Sequence, residues 1–151
     1  MEILFVCAGN ICRSFMAERI LRKKLMENNC NYVEISSAAL YNIEGVPGDP
    51  KAVEMLIEKG FNGYSHKSKL LTEDMVAGAD KIIVMESVQK KMIIDRYPDA
   101  KGKIYLLKSF SGDDHESHKD IKDPYGLSDY HYRLCFAEIY MAVEGLVKKC
   151  I

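Results

Sequence analysis

The fold can be read first from residues 2–28, EILFVCAGNICRSFMAERILRKKLMEN. The run Glu2–Cys7 is apolar without alternation, which is typical of a strand buried on both faces of a sheet. It leads through Gly9 and Asn10 into a helical pattern from about Ser14 to Asn28, whose apolar residues recur on one face. A buried strand that runs directly into an amphipathic helix predicts a parallel sheet covered by helices.

Strand and helix patterns alternate along the rest of the chain. Further strands are predicted at Val33–Leu40, Asp80–Met85 and Lys103–Leu107, and further helices at about 49–60, 87–97 and 128–149. The last helix is expected to bury a face that includes Leu134. Because parallel strands need crossover connections, this order predicts one α/β domain over residues 1–151. The expected architecture is a four-stranded parallel sheet with helices on both faces, a flavodoxin-like or Rossmann-like three-layer sandwich.

Composition excludes several classes of function. The net charge is −1 in 151 residues, so no overall field attracts the protein to nucleic acid or to an acidic membrane. No apolar run approaches the roughly 20 residues of a membrane span, and the first residues lack the pattern of a secretion signal. The five cysteines are odd in number and form no CxxC pair, which favours a reducing compartment over a disulfide framework. A cytoplasmic protein is therefore predicted.

The segment from Val6 to Ser14 has the features of a phosphate-binding loop. Ligands of parallel sheets bind at the carboxyl ends of the strands, and the first strand ends at Cys7. Backbone N–H groups of the loop and of the following helix N-terminus can converge on a dianion. Gly9 and Asn10 tolerate the left-handed backbone that a tight turn requires. Arg13 adds a planar fork that can hold two phosphate oxygens.

The same loop suits nucleophilic catalysis at Cys7. A positive site favours the thiolate form of this side chain, and Ser14 could donate a hydrogen bond to it. A thiolate that faces a bound phosphate is placed for in-line attack. The leaving oxygen then needs a proton, and the acid-rich loop offers Asp113, Asp114, Glu116, Asp120 and Asp123. Asp123-Pro124-Tyr125 stands out, because proline stiffens the loop and Tyr125 offers an aromatic wall.

The loop Cys7–Ser14, CAGNICRS, together with Asp123-Pro124-Tyr125, resembles the low-molecular-weight protein tyrosine phosphatases. The resemblance extends over nearly the whole chain. It implies hydrolysis of phosphotyrosine in proteins through a phosphocysteine on Cys7, with Arg13 binding the phosphate and Asp123 acting as general acid and then base. It also implies that no metal and no cofactor are needed. The implied partner is a phosphotyrosine protein, with a tyrosine kinase as one candidate, and the implied state is a monomer.

The resemblance assigns further roles within the site. Phosphate-binding positions are expected at Ala8, Gly9, Asn10, Ile11, Cys12 and Ser14, and a substrate-binding position at Tyr125. Ser37 and His66 are expected to support the loop through a polar network. Cys12 is expected to form a reversible disulfide with Cys7 that protects the nucleophile from over-oxidation.

Three departures from the family pattern leave the substrate open. Phe15 stands where many members have proline, and Gly126 stands where many have a second aromatic residue after the Asp-Pro-Tyr motif. The segment that flanks the site also matches poorly, and Tyr41 or Ile43 is expected to supply a wall there. A protein arginine phosphatase is the main alternative, since such enzymes resemble this chain except for a threonine at the position of Ile11.

Other interpretations have less support from the residues. Arsenate reductases on this scaffold need additional cysteines, typically in the middle of the chain, where this sequence has none. A phospho-carrier domain of sugar transport needs neither Arg13 nor Asp123, so the presence of both argues against it. A catalytically silent phosphate-binding module would need none of Cys7, Arg13 and Asp123, and all three are present. The cluster at 115–118, HESH, could bind a metal but is interpreted as part of a solvated acidic loop.

Overall fold

The computed structural model describes residues 1–112 and 119–151. Its sheet has four parallel strands in the order β2-β1-β3-β4. The strands are β1 (Glu2–Cys7), β2 (Glu34–Ala39), β3 (Lys81–Val84) and β4 (Ile104–Leu106). The prediction of a four-stranded parallel sheet is confirmed, and each observed strand lies within its predicted range.

Helices cover both faces of this sheet. The α-helices are α1 (Arg13–Glu27), α2 (Pro50–Glu58), α3 (Glu73–Gly78), α4 (Ser87–Arg96) and α5 (Asp129–Cys150), and 3-10 turns cover Pro98–Lys103 and Leu107–Ser111. The sequence analysis missed α3, because six residues are too few to show a 3.6-residue repeat. Its Thr72 cap, which accepts from the N–H of Met75 at 3.2 Å, is the local signal for this helix. Among the described residues, no helix has both the length and the apolar composition that a membrane span requires.

The core has one layer on each side of β1. Ile3 and Phe5 pack with residues of α1, α2 and α5, whereas Leu4 and Val6 pack with residues of α3 and α4. Successive strand residues point to opposite faces, so an apolar residue at every position is what burial on both faces requires. The predicted three-layer sandwich is confirmed, and it holds the end of β1, with Cys7, firmly at one edge of the sheet.

Leu134 on α5 differs from the prediction. It is 46% exposed, whereas Cys135 and Ile139 on the same helix are buried. One residue step turns a helical side chain by about 100°, so a narrow buried face that is centred on Cys135 and Ile139 leaves Leu134 at its edge. The expectation that Leu134 faces the core is therefore wrong.

The close approach of α5 to the Leu107–Ser111 turn depends on Gly145. A methyl group at this position would overlap the backbone carbonyl oxygen of Phe110. We expect Gly145→Ala to lower the free energy of unfolding by about 1–3 kcal/mol, because overpacking against the backbone outweighs the ~1 kcal/mol that alanine adds to a helix. Gly102→Ala is the matched control, since nothing lies within 4 Å of its added methyl group. Urea unfolding measures both variants, and an unchanged stability of Gly145→Ala would contradict this close packing.

Candidate active site

The loop between β1 and α1 turns sharply at Asn10. This residue has a φ of 54°, in the left-handed region that asparagine tolerates better than most side chains. The sequence predicted such a backbone at Gly9 or Asn10, and the structure places it at Asn10. A methyl group on Gly9 would lie 2.8 Å from Cδ1 of Ile43, so the end of this side chain would have to shift. The turn folds the N–H of Asn10 back toward Cys7.

Cys7 is buried at the end of β1, and its sulfur has two hydrogen-bond partners. The backbone N–H of Asn10 donates to Sγ at 3.3 Å, and Ser14 Oγ lies 3.0 Å from Sγ. Ser14 Oγ also accepts a hydrogen bond from Asn10 Nδ2 at 2.8 Å, which leaves the hydroxyl proton free to point at the sulfur. Two donors aimed at one sulfur are what an anionic thiolate needs.

Arg13 carries a charge that is almost completely buried, with 2% of the residue exposed. Nη1 donates to Oε2 of Glu86 and to the carbonyl oxygen of Ile121, both at 2.8 Å. Nη2 lies 3.6 Å from Oδ2 of Asp123. Burial by itself lowers the pKa of Arg13, but the negative charges of Cys7, Glu86 and Asp123 outweigh burial and raise the pKa above its ordinary value. The guanidinium therefore stays positive beside the sulfur.

Glu86 is a site residue that the sequence analysis missed. It follows β3 by two residues and is the N-cap of α4. Gln89 holds it in place: Nε2 donates to Glu86 Oε2 at 3.2 Å, and Oε1 accepts from the N–H of Glu86 at 3.0 Å. An acid directly after a strand of a parallel sheet lies at the same edge as Cys7, and this signal could have identified Glu86. Its carboxylate orients the guanidinium of Arg13.

The structure separates the candidate acids of the loop. Asp123 lines the cleft beside Arg13, and its Oδ1 accepts from the N–H of Tyr125 at 3.1 Å. Asp120 is bound to α4 instead, where Oδ1 accepts from the N–H of Ser87 at 2.8 Å and from its hydroxyl at 2.9 Å. The other candidates, Asp113, Asp114 and Glu116, and the HESH cluster lie outside the described residues. The described residues contain no group of three or more metal-ligating side chains.

Apolar and aromatic side chains form the walls of the cleft over Cys7. The cleft has a volume of about 270 Å³, and Ile11, Tyr41, Ile43 and Tyr125 line it. The other lining residues are Cys7, Ala8, Gly9, Cys12, Arg13 and Asp123. The sequence analysis expected either Tyr41 or Ile43 to supply a wall of the site, and both side chains line the cleft. A charged floor with apolar walls suits a phosphate that is carried on an apolar or aromatic group.

His66 holds the turn at Asn10 from outside the loop. Its Nε2 donates to the Asn10 carbonyl oxygen at 2.6 Å, since a carbonyl can only accept. The N–H of Lys69 donates to Asn10 Oδ1 at 3.1 Å. The imidazole stacks on Phe15, with ring centroids 4.1 Å apart and an interplanar angle of 14°. Phe15, a departure from the family pattern, therefore supports the polar network through His66.

Ser37 does not contact this network. Its hydroxyl donates to the carboxylate of Glu18 on α1. The strand register explains the difference, because Ser37 pairs with Phe5 whereas Ala39 is the partner of Cys7. Ser37 therefore lies about 7 Å along the strand from the row of Cys7. The expectation that Ser37 supports the loop directly is wrong, and its hydroxyl ties β2 to α1 instead.

Comparisons with known proteins agree with this geometry. The family model described as low molecular weight phosphotyrosine protein phosphatase matches residues 2–150. A protein-arginine-phosphatase of Geobacillus stearothermophilus is 37% identical over 98% of this chain and 95% of its own. The low molecular weight protein-tyrosine-phosphatase Etp of Escherichia coli strain K12 is 30% identical over 98% of this chain and 93% of its own. The crystal structure of a low molecular weight protein tyrosine phosphatase from T. tengcongensis has a TM-score of 0.90 and 34% identity, over 99% of both chains.

The chain therefore belongs to the low molecular weight phosphotyrosine protein phosphatase family. The resemblance stated from the loop and the Asp-Pro-Tyr motif is confirmed, as is the prediction of an enzyme of this family, which acts on phosphorylated proteins. A tyrosine phosphatase and an arginine phosphatase both stand among the relatives. Family membership thus defines the chemistry at phosphorus, and the phosphorylated residue has to be argued from the cleft.

The buried imidazole of His66 predicts a pH-dependent stability. Burial lowers the pKa of His66 below its ordinary value of about 6.5, because imidazolium loses solvation inside the protein. The unfolded chain then binds the proton more readily than the folded one. The contribution of neutral His66 to the free energy of unfolding should therefore be complete above about pH 6.5. It should fall as the pH drops from there toward the pKa of His66 in the folded protein.

His66→Gln tests this prediction, since glutamine can still donate to the Asn10 carbonyl but does not titrate. Urea unfolding at about pH 7.5 and about pH 5.5 measures the loss of stability on acidification. We expect a smaller loss in His66→Gln than in the wild type. An equal loss in both proteins would assign the pH dependence to other groups.

Cys12 is the N-cap residue of α1 and is buried. A hydrogen bond with the thiol of Cys135, together with burial, raises the pKa of Cys12 well above its ordinary value, and the charge of nearby Cys7 acts in the same direction. Cys12 is therefore a protonated thiol at neutral pH. Because a thiolate is the attacking form, its reaction with an oxidised Cys7 should become faster as the pH rises.

We expect peroxide to inactivate the enzyme and a thiol reductant to restore it through a Cys7–Cys12 disulfide. The sulfenic acid of Cys7 condenses with the Cys12 thiol and releases water. Cys12→Ser should stay active but recover a smaller fraction of its activity after the same dose, because its sulfenic acid is oxidised further. The fraction of activity recovered should rise with the pH of the peroxide treatment in the wild type but not in Cys12→Ser. Identical recovery in the two proteins would remove this role from Cys12.

Proposed function

We propose that the protein hydrolyses phosphotyrosine in proteins through a covalent phosphocysteine on Cys7. The observation that carries the proposal is the apolar and aromatic wall above the buried pair of Cys7 and Arg13. A tyrosyl phosphate is carried on a flat ring, which can pack between such walls while its phosphate reaches the sulfur. The exposed rings of Tyr41 and Tyr125 are open to that contact.

In the first step, Cys7 Sγ attacks phosphorus from the side opposite the tyrosyl oxygen. The S–P bond forms as the O–P bond breaks, while the loop N–H groups and Arg13 hold the phosphoryl oxygens. Asp123, in its acid form, gives its proton to the departing tyrosyl oxygen. The position of Asp123 on the cleft lining, beside Arg13, supports this role.

In the second step, water attacks phosphorus and Asp123 accepts its proton. The S–P bond breaks, and inorganic phosphate leaves. The departing thiolate is stabilised by Ser14 Oγ at 3.0 Å and by the N–H of Asn10 at 3.3 Å. The same two groups therefore support Cys7 both as nucleophile and as leaving group.

Asp123→Asn should distinguish substrates by their leaving groups. We expect kcat/KM to fall by about 10²- to 10⁴-fold on phenyl phosphate, whose leaving group needs the proton, and far less on para-nitrophenyl phosphate. Asp120→Asn is the matched control, because Asp120 is bound to Ser87 rather than placed in the cleft. Equal losses on both substrates in Asp123→Asn would assign the acid to another residue.

Ile11 lies on the cleft lining and separates two substrate classes. An aryl ring can pack against its branched side chain, whereas a guanidinium would lose hydration there without a hydrogen-bond partner, at about 1–3 kcal/mol. Within residues 1–112 and 119–151, Asp123 is the only carboxylate on this lining, and it already faces Arg13. These contacts support phosphotyrosine over phosphoarginine by roughly 5- to 150-fold.

The similarity to arginine phosphatases favours a second candidate function. The Geobacillus protein-arginine-phosphatase is 37% identical to this chain, which lies within the 30–38% range of the relatives named as tyrosine phosphatases. On phosphoarginine, Cys7 would attack phosphorus in the same way, and Asp123 would give its proton to the guanidino nitrogen as the P–N bond breaks. The two functions therefore share the floor of the cleft and differ at its walls.

Ile11→Thr tests which function the wall selects. The measurement is kcat/KM for phosphotyrosine and phosphoarginine peptides of otherwise equal sequence, on the native protein and on the variant. We expect the native protein to prefer phosphotyrosine, and the substitution to narrow that preference, because threonine restores space and a hydroxyl. Cys7→Ser should abolish turnover of both peptides. Faster native hydrolysis of phosphoarginine would put the second function first.

We further infer a cytoplasmic protein. All five cysteines are free thiols, which supports a reducing compartment. A tyrosine kinase as the physiological substrate and a monomeric state stay predictions.

A further inference from the structure

A second cavity, of about 540 Å³ against about 270 Å³ for the catalytic cleft, lies between α1, the end of α2 and α5. Its floor is a triangle of three rings, Phe61, Phe136 and Tyr140. Their centroids lie 5.9 to 6.3 Å apart in every pair. Lys23 Nζ lies 5.0 Å from the centroid of the Phe61 ring and Lys24 Nζ lies 4.3 Å from that of Tyr140, so cations border the rings that line the cavity. We call this cavity the basic groove.

The basic groove is positively charged in a chain whose net charge is −1. Four cations, Lys23, Lys24, Lys59 and Arg133, and one acid, Glu27, line it, which gives the lining a net charge of +3. The cations stand on both sides of the aromatic floor, because α1 and the end of α2 supply the lysines and α5 supplies the arginine. An acidic ligand is therefore attracted from both sides.

Two of these cations are engaged and two are available. Lys24 Nζ lies 3.1 Å from Oε1 of Glu144, and Lys23 Nζ donates to the carbonyl oxygen of Gly60 at 2.8 Å. Lys59 and Arg133 are exposed, and neither has a carboxylate partner within the described part of the chain. Their charges are the ones that a ligand can neutralise.

We propose that the basic groove docks an acidic segment of a partner protein, which inserts one aromatic or long aliphatic side chain against the ring cluster. Arg133, Ala137 and Met141 are exposed in succession along one edge of α5. From Arg133 to Met141 the helix rises about 12 Å, the length of three to four extended residues. A peptide of this length can lie along this edge with a carboxylate on Arg133, while Lys59 at the end of α2 attracts its other acidic residues.

The shape of the groove favours a peptide over an anionic membrane. A bilayer surface does not enter a concave cavity, whereas an extended peptide can. The docking site is also separate from the catalytic cleft. Lys24 lies eleven residues beyond Arg13 on α1, about 16 Å along the helix, so a docked partner leaves the cleft open.

A fluorescein-labelled peptide Glu-Asp-Phe-Glu-Asp is the probe, and fluorescence anisotropy measures its binding to the whole protein. We expect Arg133→Glu and Lys59→Glu each to weaken binding by about fivefold to tenfold, with a further loss in the double variant. Lys101→Glu, at an exposed position in the 98–103 turn, is the matched charge control and should bind as the wild type does. Ala137→Phe, which fills the groove without changing charge, should also weaken binding. Turnover of para-nitrophenyl phosphate should stay unchanged in all five variants.

Several results would overturn the proposal. Equal peptide binding by Arg133→Glu and Lys101→Glu would show that only net charge matters. Displacement of the peptide by inorganic phosphate would place it in the catalytic cleft. If replacing the phenylalanine of the probe with alanine changed nothing, the ring cluster would not be an anchor. Tighter binding to phosphatidylserine vesicles than to the peptide, lost in Arg133→Glu, would identify a lipid surface as the occupant.

Discussion

The buried guanidinium of Arg13 is the interaction on which the arrangement of the site depends. A cation with 2% exposure needs partners, since an unpaired buried charge costs several kcal/mol. Glu86 and the carbonyl oxygen of Ile121 supply them, one from the end of β3 and one from the segment that precedes α5. The requirement thus ties two distant segments to the first turn of α1. Because Asp123 follows Ile121 by two residues, pairing the cation also brings a carboxyl group to the cleft over Cys7.

The second constraint is the left-handed backbone of Asn10, which aims an N–H group at the sulfur of Cys7. A non-glycine residue in this region is strained by about 1 kcal/mol or more, so the surroundings must hold it. His66 and Lys69 do so from outside the loop, by bonding the carbonyl and the side chain of Asn10. Phe15 in turn packs on the imidazole. The loop is thereby shaped before any phosphate arrives, and a cradle formed in advance stabilises a transition state without reorganising.

How much of the site could be predicted depends on how local each interaction is. Cys7, Asn10 and Arg13 lie within one strand-loop-helix segment, so their meeting follows from the sequence pattern alone. Glu86 enters the site only because β3 is the neighbour of β1, and Ser37 leaves it because of a two-residue offset in register. Neither the strand order nor the register is written in a single sequence. The same holds for the stack between Phe15 and His66, which are 51 positions apart.

The substrate is the hardest property to infer, and the reason is physical. In the proposed mechanism the loop, Arg13 and Asp123 act on the phosphoryl group, which is the same whether tyrosine or arginine carries it. Selection is a difference between two affinities, so it depends on the few side chains that meet the group beyond phosphorus. Identity over the whole chain counts mainly positions that build the sheet, the helices and the shared floor. It does not separate the two substrates, because the arginine phosphatase at 37% lies within the 30–38% range of the tyrosine phosphatases. The wall formed by Ile11, Tyr41, Ile43 and Tyr125 carries more weight, because it presents apolar surface where a guanidinium would need hydrogen-bond partners.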